Sequence, residues 1–279
     1  MVTFRKHAVH HPSRRAFLAG ASAVAVGVAI DTFLIEPRWL DVTYHDVAIP
    51  KLPRTLEGFT IAQITDTHLT QIGIVEESIY RALRATDVQL LVLSGDMIDS
   101  ALGLDALKRF CAELNKKGMT ILATLGNWER WGRISIPNLA DVYGDLNIRL
   151  LVNDGIRLDG DVKVFATDDA TAGTPRIRKL YDNQAPATIF VTHSPSFLDN
   201  SALLPGAFNF ALAGHTHGGQ VRLGPKLVPF LPPGCGRFLG GWYDTPGGKA
   251  YVSRGTGTNL AQARFTCRPE LPIFRLRQG

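Results

Sequence analysis

The chain has 279 residues, 45% hydrophobic and 20% charged. That composition excludes collagen-like repeats, coiled coil and wholesale disorder, and the length allows one large α/β domain or two small ones. The formal net charge is +5, but Arg5, Lys6, Arg14 and Arg15 lie in the first thirty residues without an acidic neighbour, so the remainder is near neutral and no nucleic-acid partner is implied.

At the N-terminus, Ser13-Arg14-Arg15 precedes fifteen small or apolar residues, Ala16 to Ile30. Paired arginines before an apolar stretch point to an export signal of the twin-arginine type, spanning residues 1–35. Fifteen residues rise only ~22 Å as helix, short of the ~30 Å hydrocarbon core. Extension to Ile35 reaches membrane length but includes Asp31, so cleavage and retention as an anchor both stay open. The protein is expected in the periplasm or on the outer face of the cytoplasmic membrane. Residues 36–55, marked by Pro37 and Pro53, read as a linker to a single domain over 56–279.

Beyond the linker, Phe59–Ile64, Val88–Leu93, Met119–Leu125, Thr188–Val191 and Phe208–Ala213 read as buried strands, rich in Val, Ile and Leu. Glu76–Ala85 and Leu104–Lys116 have helical spacing, with Gly118 as a stop signal. After Gly218 a Pro- and Gly-interrupted loop mixes Leu223, Leu227, Phe230 and Phe238 with Arg222, Lys226 and Arg237. Over 221–238 this loop could pack on its own core, grip an acyl chain or touch a membrane. Short strands follow at Lys249–Ser253 and Pro272–Leu276, which makes the fold α/β. Cys111, Cys235 and Cys267 have no metal spacing; a Cys235–Cys267 bridge is conceivable after export.

The polar residues that follow the strands are informative. The strands end in Asp66-Thr67-His68, Gly95-Asp96-x-x-Asp99, Gly126-Asn127-Trp128-Glu129, His193 and Gly214-His215-Thr216-His217. Ligand sites of α/β sheets lie at the carboxyl ends of strands, so five such ends can converge on one crevice. From residue 46 onward every histidine falls at one of them. Each motif alone is a common turn or loop; together they predict a metal site. In extended backbone the Asp66/His68 and His215/His217 pairs would each point to one side. Asp and His together suit Mn, Fe or Zn, whereas Mg prefers oxygen shells.

In order and spacing these five blocks resemble the calcineurin-like metallophosphoesterase superfamily, over roughly residues 56–260. The leader, with Gly214–Gln220 and Arg254-Gly255-Thr256-Gly257, looks most like its exported bacterial YkuE-like branch. The resemblance implies a β-sandwich flanked by helices, with a dimetal site at the strand ends. It implies one ion on Asp66, His68, Asp96 and His217, and a second on Asp96, Asn127, His193 and His215. Asp96, Asn127 and His193 would be the catalytic residues. The implied reaction is hydrolysis of a phosphodiester or phosphoanhydride in the cell envelope, with a hydroxide held between the two divalent ions attacking phosphorus in line. The expected substrate is a phosphorylated small molecule or lipid.

One residue departs from the family pattern. Members usually carry His where this chain has Trp128, and an indole N–H has no proton to give near neutral pH. General-acid help, typically ~10²–10⁴-fold, is lost there. Phosphate anhydrides and aryl esters, which need little protonation, are then the favoured substrates. Asp99 would orient a ligand or cap a turn, and Glu129 would serve catalysis or cap a helix start. Two rivals follow: a pyrophosphatase for a UDP-diacylglucosamine-type nucleotide lipid, and a metal-binding module with little turnover.

Overall fold

The computed structural model describes residues 13–115, 118–158, 161–182, 185–224 and 227–279; Arg5, Lys6, Lys116 and Lys226, named above, lie outside them. Helix α1 (Arg14–Ile30) continues without a break through a π turn (Asp31–Ile35) and a 3-10 turn (Glu36–Arg38). Phe17–Arg38 is therefore 22 residues of unbroken helix, long and apolar enough to cross a membrane, as a signal sequence also can be. The helix thus runs past Asp31 through the extension to Ile35. Phe17, Val24 and Val26 stand more than half exposed, so α1 packs on nothing among the described residues. Its far end does: Thr32 and Glu36, one turn apart, are buried.

Twelve strands among the described residues form two six-stranded sheets. The first has the order β1 (Asp41–Ile49), β12 (Glu270–Gln278), β2 (Thr60–Ile64), β3 (Leu90–Ser94), β4 (Thr120–Thr124) and β5 (Arg149–Leu150). The second runs β10 (Gly241–Thr245), β11 (Gly248–Val252), β9 (Phe210–Ala213), β8 (Ala187–Val191), β7 (Val162–Ala166) and β6 (Asp154–Leu158). β2, β3 and β4 are mutually parallel, and so are β7, β8, β9 and β11. Each sheet thus brings its carboxyl ends to one edge.

The two-residue side-chain period of strands sorts the core. Ile61, Leu90, Val92 and Leu122 face Val164, Ile189 and Leu212 of the second sheet. Their neighbours Ala62, Leu91, Leu93 and Ile121 face helices α2 (Ile74–Ala85), α3 (Leu104–Asn115) and α5 (Ile136–Gly144) through Ile79, Phe110 and Leu139. Glu76 starts α2 by accepting a bond from Gly73 N at 2.8 Å. Truncating Phe110, fully buried here, to Ala would cost about 3–5 kcal/mol. On the outer face of the second sheet, Phe165 and Phe190 are covered by Phe197, Leu203 and Phe238 from 3-10 turns and loops rather than from long helices.

Residues 41–49, assigned above to the linker, form β1, which pairs in parallel with β12 from Asp41↔Glu270 to Ile49↔Gln278. This is an edge strand with only Val47 and Ile49 of its apolar residues buried, so it lacks the continuous apolar run that marks the inner strands. His45 therefore belongs to the folded domain, packed between Tyr251 and Phe274, and is the one described histidine outside the strand-end clusters. All three cysteines are free and buried, so the Cys235–Cys267 bridge does not form. Cys267 Sγ instead sits 3.3 Å from His217 O.

Candidate metal centre

The five strand ends meet in one place. Asp66, His68 and His217 form one buried group whose ligand atoms lie within 4.8 Å of one another; Asp96, His193 and His215 form a second. Asn127, first residue of the short helix α4 (Asn127–Trp131), is buried beside them. The structure brings together all seven residues expected to be ligands.

The route differs from the expectation of extended pairs. Asp66, His68, Asp96, His215 and His217 have φ of 54°, 47°, 53°, 71° and 49°, so each turns through the left-handed region. His215 and His217 thereby enter different groups, whereas Asp66 and His68 share one. Gly214 follows from the same crowding, because a Cβ there would collide with Thr65 and Asp66.

Hydrogen bonds fix which ring nitrogen His68, His193 and His215 offer. His68 Nδ1 donates to Asp99, leaving Nε2 with a lone pair 3.1 Å from His217 Nε2. His193 Nδ1 donates to Ser94 O at 2.9 Å, and His215 Nε2 donates to Pro233 O at 2.7 Å. The free atoms are then His193 Nε2 and His215 Nδ1. His193 Nε2 is buried without a hydrogen bond, although Asp96 Oδ2 lies 3.1 Å away, and Asn127 Oδ1 and His217 Nδ1 are likewise unpartnered. Buried polar atoms are rarely left so. Lone pairs converging on carboxylates are what divalent cations with N and O ligands require, so the donor set fits two such ions.

The carboxylates are held from behind. His215 N lies 2.9 Å from both oxygens of Asp66, and Trp128 N donates to Asp96 Oδ1 at 2.8 Å. Burial opposes ionisation of Asp96, yet the adjacent His193 holds its carboxyl below the usual range. The same pairing raises His193 against the effect of its own burial, while burial and then His68 push His217 down.

Asp99, Trp128 and Glu129 now have contacts. Asp99 orients His68. Trp128 stands edge-on to His68 and to Trp131, with ring centroids 6.2 and 5.7 Å apart. Glu129 is buried and accepts backbone N–H bonds from Asp96 at 3.1 Å, Met97 at 2.7 Å and Gly126 at 2.9 Å. It caps α4 and ties the Asp96 loop to the Asn127 loop.

Two supports escaped the sequence reading. Fully buried Arg264 donates to the carbonyls of Arg254 at 2.9 Å, Gly255 at 3.2 Å and Cys267 at 3.0 Å, fixing the loop behind Asp66. Asp169 accepts from Ser194 Oγ beside His193. Recognising β7 would have exposed Asp168-Asp169 as a sixth strand end; a lone Arg264 gives no such signal.

Two cavities open on the centre. One of about 330 Å³ is lined by His68, Asp99, Thr256 and the foot of the apolar helix at Phe33 and Arg38. The other, about 500 Å³, is lined by His217, Trp128, Trp131, Pro229, Phe230 and Leu260.

A profile described as Calcineurin-like phosphoesterase matches residues 59–219. The uncharacterized metallophosphoesterase YkuE of Bacillus subtilis is 27% identical over 294 residues, covering 95% of this chain and 98% of that protein. The phosphodiesterase YaeI of Escherichia coli is 25% identical over 275 residues, covering 95% and 99%. The UDP-2,3-diacylglucosamine pyrophosphatase LpxG of Chlamydia muridarum is 25% identical over 301 residues, covering 86% and 90%.

Proposed function

The chain belongs to the calcineurin-like phosphoesterase family, and on that premise we propose that it hydrolyses a phosphodiester or phosphoanhydride in the cell envelope. It is a metal-dependent phosphoric ester hydrolase. The observation that carries the finer reading is the pair of buried Asp/His groups, in which outer hydrogen bonds fix the lone pairs of His68, His193 and His215.

In this reading Asp66, His68 and His217 hold one divalent ion, and His193, His215 and Asn127 hold the other. Asp96 is shared; its charge acts on both His68 and His193. Mn, Fe or Zn fit these N/O ligands better than Mg. When bound, such ions neutralise phosphoryl oxygens and lower the pKa of water. The protein's own part is to keep the ligands aimed. The Asp99 bond fixes His68, Ser94 O fixes His193, Pro233 O fixes His215, and Glu129 fixes the backbone beneath Asp96. Trp128 has no titratable proton, so water protonates the departing oxygen. We further propose that Phe17–Arg38 delivers the folded domain, from Asp41 onward, to the outer face of the membrane through Arg14-Arg15, as a signal or a retained anchor.

The similarity to LpxG supports a second reading, a nucleotide-lipid pyrophosphatase. Turnover of a monoester, a diester and a pyrophosphate, each with Mn, Zn, Fe and Mg, separates the two. Diester preference selects the phosphodiester branch of the proposal; pyrophosphate preference selects its phosphoanhydride branch, of which the nucleotide-lipid reading is one case. Absence of turnover on all of them would refute both.

A further inference from the structure

We infer that the cavity between Trp128 and the 229–233 loop receives an acyl chain of a membrane phosphodiester lipid, drawn from the bilayer that holds α1. The inference rests on the phosphoesterase reading and names its substrate class.

The cavity, about 500 Å³, begins at the metal centre, since His217 is part of its wall. Beyond His217 and the indole of Trp128, its wall is built largely of Trp131, Pro229, Phe230 and Leu260, a lining suited to hydrocarbon. A phosphoryl group among the ligands would therefore have an apolar compartment beside it. The rim also faces outward as apolar surface: Leu260 is 81% exposed, Phe230 58% and Trp131 48%. A group of large apolar side chains this exposed marks a surface that meets something apolar.

The bilayer is the source because the membrane-length helix ends on the same wall. Arg264 N donates to Thr32 O at 2.9 Å, and Glu36 accepts from Thr266 N at 2.8 Å and from Cys267 N. Cys267 Sγ in turn reaches His217 O. Leu260 and Ala261 separate the cavity that touches Phe33 and Arg38 from the one that touches Trp128. At the foot of the span, Arg268 lies 3.7 Å over the Trp39 ring, and Arg38 bonds Leu34 O at 2.7 Å. Aromatic and basic residues of this kind sit at headgroup level. The cavity mouth thus stands at the interface, where a lipid can lift its phosphodiester a short way to the ligands.

In the reaction, water supplies the oxygen of the new P–O bond, one P–O ester bond breaks, and the proton from water ends on the departing oxygen or in solvent. The test uses the full chain with Mn in vesicles and a series of p-nitrophenyl phosphodiesters bearing methyl, butyl, octyl or dodecyl chains. We expect kcat/KM to rise by up to roughly fourfold per buried methylene and to level off once the cavity is filled. Phe230→Asp should flatten the series, and Leu260→Asp provides a second rim variant should the first fold poorly. A readout free of turnover is tryptophan quenching. With Trp39 and Trp242 changed to Phe, vesicles of acyl-brominated phosphatidylglycerol should quench Trp128 and Trp131, with or without metal. Equal kcat/KM across the chain lengths overturns the acyl subsite while leaving the phosphoesterase reading intact. A chain-length slope without quenching overturns the membrane source. If no ester is cleaved, the phosphoesterase reading fails, and quenching alone decides the subsite: its absence removes that too.

Discussion

Replacing Glu129 tests the claim that the metal loops are held together by one buried side chain. Its carboxyl accepts from Asp96 N, Met97 N and Gly126 N at 3.1, 2.7 and 2.9 Å. Removal strands three buried donors at about 1–3 kcal/mol each, so Glu129→Ala should cost about 3 kcal/mol or more. Glu129→Gln can keep its amide oxygen on Asp96 and Gly126, where Oε2 now sits, but turns an NH₂ towards Met97 N. About 1–3 kcal/mol is expected, a fall of roughly 5 °C in Tm for a domain of this size. Burial and then the neighbouring Asp96 push the carboxyl up to about 7. Because that folded value lies above the unfolded one of about 4.3, its contribution is complete below the latter and lost as pH rises through 7. Metal-free wild type should therefore lose stability between about pH 4 and 7 by a component missing from Glu129→Gln. Thermal melts of metal-free protein at several pH values, with metal content after reloading, read all of this. Equal Tm for wild type, Gln and Ala, with two metals retained in each, would refute the reasoning.

Three other outcomes are expected. Asp96→Ala should lose both metals, whereas His68→Ala should lose mainly one; elemental analysis of purified protein decides, and two tightly held ions in Asp96→Ala would end the shared-ligand assignment. Wild-type rates should depend steeply on leaving-group pKa, with aryl diesters cleaved far faster than alkyl ones, and Trp128→His should flatten that dependence; a flat wild-type plot, with chemistry limiting, points to another acid. Changing Arg14 and Arg15 together to Lys should hold the protein in the cytoplasm by cell fractionation, and unchanged export would exclude the twin-arginine route.

The centre was legible in the sequence because its ligands follow apolar runs such as Leu90–Ser94, buried on both faces and hence free of polar residues until they end. β1 was not, since it is an edge strand with alternate positions exposed, and β6 and β10 have the same weakness. Residue spacing placed His215 and His217 together, while backbone turning separated them; spacing carries no information about φ. The atoms that set the histidine tautomers are in part backbone carbonyls, Ser94 O and Pro233 O, which no side-chain pattern reveals. Arg264 and Glu36 act over long separations on loops that the strands alone do not define. The resemblance supplied the ligand grouping, and the structure supplied the reason each atom is available.

The five candidate ligands in left-handed backbone set function against thermodynamics. A non-glycine residue held there costs of order 1 kcal/mol or more, so together they burden the fold by several kcal/mol, about the net stability of many domains. Glycine would relieve the strain at each position, with part of the gain returned as unfolded-chain entropy. A lineage released from the need for hydrolysis would therefore drift towards glycine at residues 66, 68, 96, 215 and 217, becoming sturdier as it became inert. Aspartate and histidine at all five positions thus exchange stability for N and O donors that glycine could not supply.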